Sequence, residues 1–302
     1  MTGDPSPSAR HAAEKPKQGT GRRRRAEEEL RRAGVESPDF DAAELLAHVL
    51  GTTRSQLVLV DDGTALSVEQ AATYDALVTR RAAREPLQHL TGSAAFRHVE
   101  LAVGPGVFVP RPETELLAGW GIERAQAALA AGRVPVVVDL CTGSGAVALS
   151  VADEVPAAEV HAVELGESAH EWATRNLAGS GVDLRHGDMA DAFHDLDGAT
   201  DIVLCNPPYI PLEAYESVAP EARDHDPDLA LFSGQDGLEA LRVVEQVAAR
   251  LLRPGGVVGA EHADVQGTSA PAVFVGSGRW LDVRDHPDLA GRSRFVTARL
   301  AR

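Results

Sequence analysis

From residue 113 onward the chain repeats one rhythm, and that rhythm leaves little choice of fold. A helical stretch over 113–131 leads into an apolar run, Val134–Leu140. Helical spacing over 145–153 precedes a second run, Val160–Glu164, and helical spacing over 167–178 precedes a short one at Val182–His186. A strand over 201–205, a helix over 236–252, a strand over 257–261 and late strands over 280–285 and 294–300 complete the series. Short apolar runs bounded by turn residues read as strands buried on both faces. Strands alternating with helices imply an α/β fold around a doubly wound, mostly parallel sheet. Ligands of such sheets bind beyond the carboxyl ends of the strands.

The first third of the chain has a different character. Residues 26–92 read as a small helical bundle. Ala26–Arg32 runs up to Gly34, which suits a helix C-cap. Asp39 or Asp41 is placed to cap a second helix through Ala42, Leu45, Leu46, Val49 and Leu50, stopped by Gly51. Ser67 opens a third helix, with Glu69 and Gln70 in its first turn and Ala71, Tyr74, Leu77 and Val78 at helical spacing. Residues 93–112 read as a β-hairpin joining the bundle to the main domain, residues 113–302. Its first arm is Phe96–Val103, its turn Gly104-Pro105-Gly106 and its second arm Val107–Val109. Residues 1–25 read as a disordered basic tail, rich in Pro, Gly and charge and poor in large apolar side chains.

Two motifs carry chemistry. Asp139-Leu140-Cys141-Thr142-Gly143-Ser144-Gly145 follows the first strand of the main domain and opens a helix. Its glycines allow a tight turn and close backbone approach to a ligand. The third glycine of a dinucleotide fingerprint and the lysine of a phosphate-binding loop are both missing, so a nucleoside without a pyrophosphate fits better. Glu164 ends the second strand, where it can hold ribose hydroxyls. Asp188 and Met189 follow the third strand, where a base would lie. The other motif, Asn206-Pro207-Pro208-Tyr209, follows Ile202-Val203-Leu204-Cys205. It suits a grip on a planar –NH2 group: the Asn206 oxygen and the Pro207 carbonyl each accept one N–H. The prolines stiffen the backbone that presents them, and the Tyr209 ring stacks on the flat group.

Together these features resemble the Rossmann-like class I S-adenosylmethionine-dependent methyltransferases and, more narrowly, the release factor glutamine methyltransferase family. Besides the two motifs, the likeness rests on Glu85–Gly92, Val109-Pro110-Arg111-Pro112-Glu113-Thr114-Glu115, Ala230–Leu238, Leu252–Gly256 and Asp288–Arg292. It departs at Cys141, where the family often has Gly, and at Met189, where an aromatic often stands. The resemblance implies S-adenosyl-L-methionine as methyl donor and S-adenosyl-L-homocysteine as product. Asp139, Cys141, Thr142, Gly143, Ser144, Gly145, Glu164, Asp188, Met189 and Asn206 are then the cofactor residues. Asn206, Pro207 and Tyr209 become catalytic, and Pro208 and Phe108 join them in holding substrate. The implied substrate is the glutamine of the Gly-Gly-Gln loop of peptide chain release factors, recognised through the helical bundle.

Bulk properties narrow the alternatives. The net charge is −16, and a surplus of five positive charges in residues 1–25 leaves −21 for the rest. So acidic a body is a poor general binder of nucleic acid, whose phosphates demand Lys and Arg. That argues against a DNA or RNA amino-methyltransferase, although the same tetrapeptide serves one, and no direct nucleic-acid substrate is expected. A ribosomal-protein glutamine is the closer alternative, and a non-catalytic adaptor the more distant one. With only Cys141 and Cys205 there is no disulfide framework. His98, His225 and His262 lack metal-ligand spacing. No apolar run is long enough for a membrane span and no leader-like segment opens the chain, so a cytoplasmic monomer is the expectation.

Overall fold

The structure, a computed structural model, describes residues 18–57 and 66–301. It forms two compact units, one up to Thr91 and one from Gly92 onward. Among the described residues no helix is long and apolar enough to cross a membrane.

The first unit is helical, with helices Gln18–Arg32, Pro38–Leu50, Arg54–Leu57, Val68–Ala82 and Leu87–Thr91. Leu30, Leu45 and Tyr74 are fully buried at its centre, and the Tyr74 hydroxyl donates to the Ala42 carbonyl at 3.0 Å. Ser67 opens its helix through a reciprocal cap with Gln70, and Gly51 ends another in the left-handed conformation (φ 63°), both as the sequence suggests. Two expectations fail. The first helix begins at Gln18, so Arg22–Arg25 are helical and not part of a tail. Arg22 reaches Asp75 and Arg23 pairs with Glu27 one turn on, which gives the run partners that composition alone hides. The tail's remaining residues, 1–17, lie outside the described residues. Nor do Asp39 and Asp41 cap the second helix: Ser37 holds that position before Pro38, and Asp41 is buried against Arg81 at 2.7 Å.

The second unit opens with a hairpin, β1 (Ser93–Phe96) and β2 (Val99–Ala102), paired antiparallel. The turn falls at Arg97-His98 and not at Gly104-Pro105-Gly106, and Val107–Val109 forms no strand. Arg97 takes a positive φ of 50° without being glycine. Its N–H donates to Glu115 Oε1, and its guanidinium forks onto Glu154 at 2.5 and 2.8 Å, which holds the turn. Phe96, Leu101 and Val103 pack into the same core as Leu117 and Ile122, so the hairpin is part of this unit and no free linker.

The main sheet has seven strands: β3 (Val136–Leu140), β4 (Glu159–Glu164), β5 (Asp183–His186), β6 (Thr200–Cys205), β7 (Leu252–Glu261), β8 (Trp280–Pro287) and β9 (Ser293–Leu300). Their order is β5-β4-β3-β6-β7-β9-β8, and β3 to β7 are parallel while β9 runs against β7 and β8. Successive residues of β6 serve opposite faces. Ile202 and Leu204 join a core with helices Thr114–Ala130, Ala146–Glu154 and Glu167–Asn176; Val203 and Cys205 join another with helices Glu239–Leu251 and Ser269–Ser277. Each fully buried Leu or Ile contributes about 1.5–3 kcal/mol, so a register slip in this strand is strongly disfavoured. The chain winds from β3 out to β5, then returns to β6 beside β3. That reversal opens a crevice at the carboxyl ends of β3 and β6, where both sequence motifs lie.

Candidate active site

The loop after β3 curls through three positive φ values in five residues: Cys141 (57°), Gly143 (58°) and Gly145 (87°). A Cβ at Gly143 would meet open space, so glycine there serves the backbone turn and not packing. Asp139, 1% exposed, anchors the loop: its Oδ2 accepts from the Thr142 hydroxyl at 2.6 Å and from the Ala148 N–H at 3.2 Å. Burial pushes its carboxyl up to about 7 despite those bonds, and the charge of Glu164 adds to the rise.

Glu164, at the end of β4, meets this loop directly. Its Oε2 accepts the Gly143 N–H and its Oε1 the Gly166 N–H, both at 2.8 Å. Its carboxylate therefore shapes the loop, a role that the sequence does not announce, and each oxygen keeps lone-pair capacity for a ligand hydroxyl. Asp188 is exposed beyond β5, with Oδ1 accepting from the Ala190 N–H. Met189 returns toward the loop, its sulfur 3.5 Å from that of Cys141. The buried Cys205 thiol is held well above its usual range by burial first and by the Cys141 thiol beside it. Ser144 is tied in through Asn176, whose amide nitrogen donates to the carbonyls of Ser144 and Ala102 while its oxygen accepts the Ala102 N–H.

The tetrapeptide follows β6, next to the end of β7, with Cys205 in register with Ala260. Asn206 Nδ2 donates to the Thr114 hydroxyl oxygen at 3.1 Å, and that hydroxyl donates to Glu261 Oε2 at 2.7 Å. The Tyr209 hydroxyl donates to the other oxygen of the same carboxylate at 3.2 Å. Glu261 is 1% exposed, and burial pushes it up to about 7 against the pull of Thr114, Arg294 and Tyr209. Burial, and then the charge of Glu261, raises the Tyr209 phenol. The Tyr209 carbonyl accepts from Gln266 at 3.1 Å and lies against Gly237, where a Cβ would come within 2.3 Å of it. Pro207 is buried and Pro208 partly so. Phe108 belongs to a neighbouring group: the Arg111 guanidinium lies 4.8 Å from its ring centre and donates to Asp226 at 2.7 Å. Burial raises Asp226 to about 6 even beside that charge.

The structure thus ties Asp139 to Thr142 and Glu164 to Gly143 at one loop, and joins Asn206 and Tyr209 through Thr114 and Glu261. It adds Thr114, Glu261, Gln266 and Asn176, to which the sequence assigns no role. Asp139, Glu164 and Asp188 stand at the ends of three neighbouring strands. This edge, with the carboxyls of Glu164 and the exposed Asp188 and with Asp139 turned inward at 1% exposure, disfavours a pyrophosphate. It suits a ligand bearing hydroxyls, an amino group and positive charge, and S-adenosylmethionine carries all three.

A doubly wound sheet with one reversed strand, a glycine-rich loop after β3 and Asn-Pro-Pro-Tyr after β6 is the arrangement of an α/β class I methyltransferase. The comparisons agree. The PrmC N-terminal domain family matches residues 23–92, and the methyltransferase small domain family matches residues 126–220. Over 276 residues the chain is 57% identical to a release factor glutamine methyltransferase of Streptomyces coelicolor, covering 91% of this chain and 96% of that one. It is 42% identical over 248 residues to a 4-amino-L-phenylalanine/4-methylamino-L-phenylalanine methyltransferase of Streptomyces pristinaespiralis, covering 82% and 85%. The catalytic domain of hMettl16, solved with the MAT2A 3′UTR hairpin 6, shares the fold: TM-score 0.52, 12% identity, 78% of this chain and 82% of that one. The chain belongs to the release factor glutamine methyltransferase family.

Proposed function

We propose that this enzyme methylates the side-chain amide nitrogen of the glutamine in the Gly-Gly-Gln loop of peptide chain release factors, using S-adenosyl-L-methionine. The observation that carries the substrate is the likeness to the Streptomyces coelicolor enzyme, which extends over 91% of this chain and so takes in the helical unit as well as the catalytic one.

When bound, S-adenosyl-L-methionine supplies an electrophilic methyl group on a sulfonium. Asp139, Cys141, Thr142, Gly143, Ser144, Gly145, Glu164, Asp188 and Met189 hold it. The work of the remaining residues is positioning. An amide nitrogen is a weak nucleophile because its lone pair is delocalised into the carbonyl. Asn206 Oδ1 and the Pro207 carbonyl accept its two N–H bonds, fix its orientation and favour the pyramidal form whose lone pair is free to react. Such preorganisation supplies catalysis without a base acting before attack, since the nitrogen turns acidic only as it is alkylated. Tyr209 packs on the amide plane, and Pro208 and Phe108 bound the pocket.

The arylamine enzyme of Streptomyces pristinaespiralis favours a second reading, a small aromatic amine as acceptor, because the same two carbonyl oxygens can accept its N–H bonds. Mass spectrometry decides between them. Unmodified release factor incubated with the enzyme and S-adenosyl-L-methionine gains the mass of one methyl group, mapped to the Gly-Gly-Gln glutamine. In Asn206→Ala the rate falls by about 100- to 1,000-fold, with cofactor binding retained. Methylation of 4-amino-L-phenylalanine with none on the release factor would replace the protein substrate by the small one.

A further inference from the structure

The tetrapeptide's amide does not stand alone; it ends a chain of hydrogen bonds that starts in the core. Glu261 Oε2 accepts from the Thr114 hydroxyl at 2.7 Å, and Thr114 Oγ1 accepts from Asn206 Nδ2 at 3.1 Å. Glu261 is 1% and Thr114 4% exposed, so water is not at hand to replace either partner. While Glu261 is ionised its carboxylate only accepts, and a threonine hydroxyl has a single proton. That proton is committed to Glu261, which leaves Thr114 able only to accept from Asn206. Turning the Asn206 amide over would set its oxygen against the hydroxyl oxygen, two acceptors with no proton between them. The second carboxylate oxygen holds the Tyr209 hydroxyl at 3.2 Å. One buried group thus governs both polar side chains of the tetrapeptide. The topology explains how: Glu261 ends β7 beside the end of β6, and Thr114 begins the helix Thr114–Ala130.

We propose that Glu261 and Thr114 are positioning residues for methyl transfer: they lock the Asn206 amide with its nitrogen inward, so that its oxygen is kept for the acceptor nitrogen. The proposal rests on the reading of Asn206 as the acceptor's grip. It predicts a loss in turnover and not in cofactor affinity when the lock is cut.

The chain offers a direct probe, because Asn176 and Asn206 are its only asparagines. Asparagine-selective 15N labelling therefore gives two side-chain amides. Asn176, bound to Ala102 and Ser144, reports on folding. Thr114→Val keeps the shape and removes the hydroxyl; Thr114→Ser keeps the hydroxyl. In Thr114→Val the Asn206 amide protons move toward free-amide positions while Asn176 is unchanged. There kcat falls by about 10- to 100-fold with the cofactor KM little altered. Thr114→Ser restores both the signal and, within about threefold, the rate. Unmoved Asn206 signals in Thr114→Val overturn the lock whatever the acceptor is. An unchanged kcat, or Thr114→Ser as slow as Thr114→Val, overturns its catalytic role. A wild-type enzyme that leaves release factor unmodified defeats the substrate reading instead, and the amide signals still decide the lock.

Discussion

Glu164 holds two backbone N–H groups and still keeps lone-pair capacity for a ligand. It was legible in the sequence as an acid at a strand end, and its two bonds to the Gly143 and Gly166 N–H groups were not, since nothing local reveals where a loop folds back. Glu164→Ala removes a charged acceptor from both. Charge-assisted hydrogen bonds contribute about 1.5–3 kcal/mol each, so the cofactor Kd should rise by roughly 10- to 100-fold, measured by calorimetry. A Kd equal to wild type would take Glu164 out of the binding site. Asn206 and Tyr209 stood out for the opposite reason, because they belong to one contiguous four-residue motif directly after a buried strand. Thr114 and Glu261 did not. Thr114 lies within a segment whose family likeness is plain, but its partner stands 147 residues away at the end of a strand to which no chemistry was assigned.

At the scale of elements, β3 and β6 could be read because both their faces are apolar, whereas the short, polar β5 was read from its place in the alternation. The hairpin could not be read. Alternation across Phe96–Val103 hides a turn at Arg97 that long-range partners hold: Glu115 from one helix and Glu154 from another. The glycines of Gly104-Pro105-Gly106 signal a turn more loudly, and they misplace it. Short helices Pro220–His225 and Asp228–Leu231 and the helix Ser269–Ser277 also went unread, having too few periodic positions to stand out. What fastens the hairpin to the nucleoside loop is Asn176, on helix Glu167–Asn176, through two bonds to Ala102 and one to Ser144. Asn176→Ala deletes all three in a partly buried place. It should destabilise the protein by about 1–3 kcal/mol in urea unfolding and weaken cofactor binding as well. A loss of stability with cofactor affinity unchanged would mean that the Ser144 carbonyl needs no such tether.

Across the whole molecule, the site's acids oppose folding at neutral pH. Asp139 and Glu261 are each raised to about 7 and Asp226 to about 6, in every case by burial first. A carboxyl raised on folding takes up a proton as the chain folds. Its favourable contribution is complete below the unfolded pKa of about 4 and is lost as pH climbs through the folded value. The carboxyls held low, such as Asp195 at about 2, act in the opposite sense, but their change is finished by about pH 5. His170 and His286, both lowered by burial, act in the opposite sense within the same window, but their shifts are the smaller ones, so between about pH 5 and 8 the net slope follows the buried acids. The overall charge of −16 adds self-repulsion of the same sign as the acids ionise. The cofactor-free protein should lose stability across that window, with Asp139 alone accounting for a few kcal/mol, on the order of 1.4 kcal/mol per pH unit of displacement. Asp139→Asn retains an acceptor for Thr142 and Ala148 but cannot ionise, so its unfolding free energy should fall less steeply with pH. Urea melts at both ends of the window test this. A wild-type stability that rises with pH, or a slope that Asp139→Asn leaves untouched, would show that these carboxyls are not strained by burial.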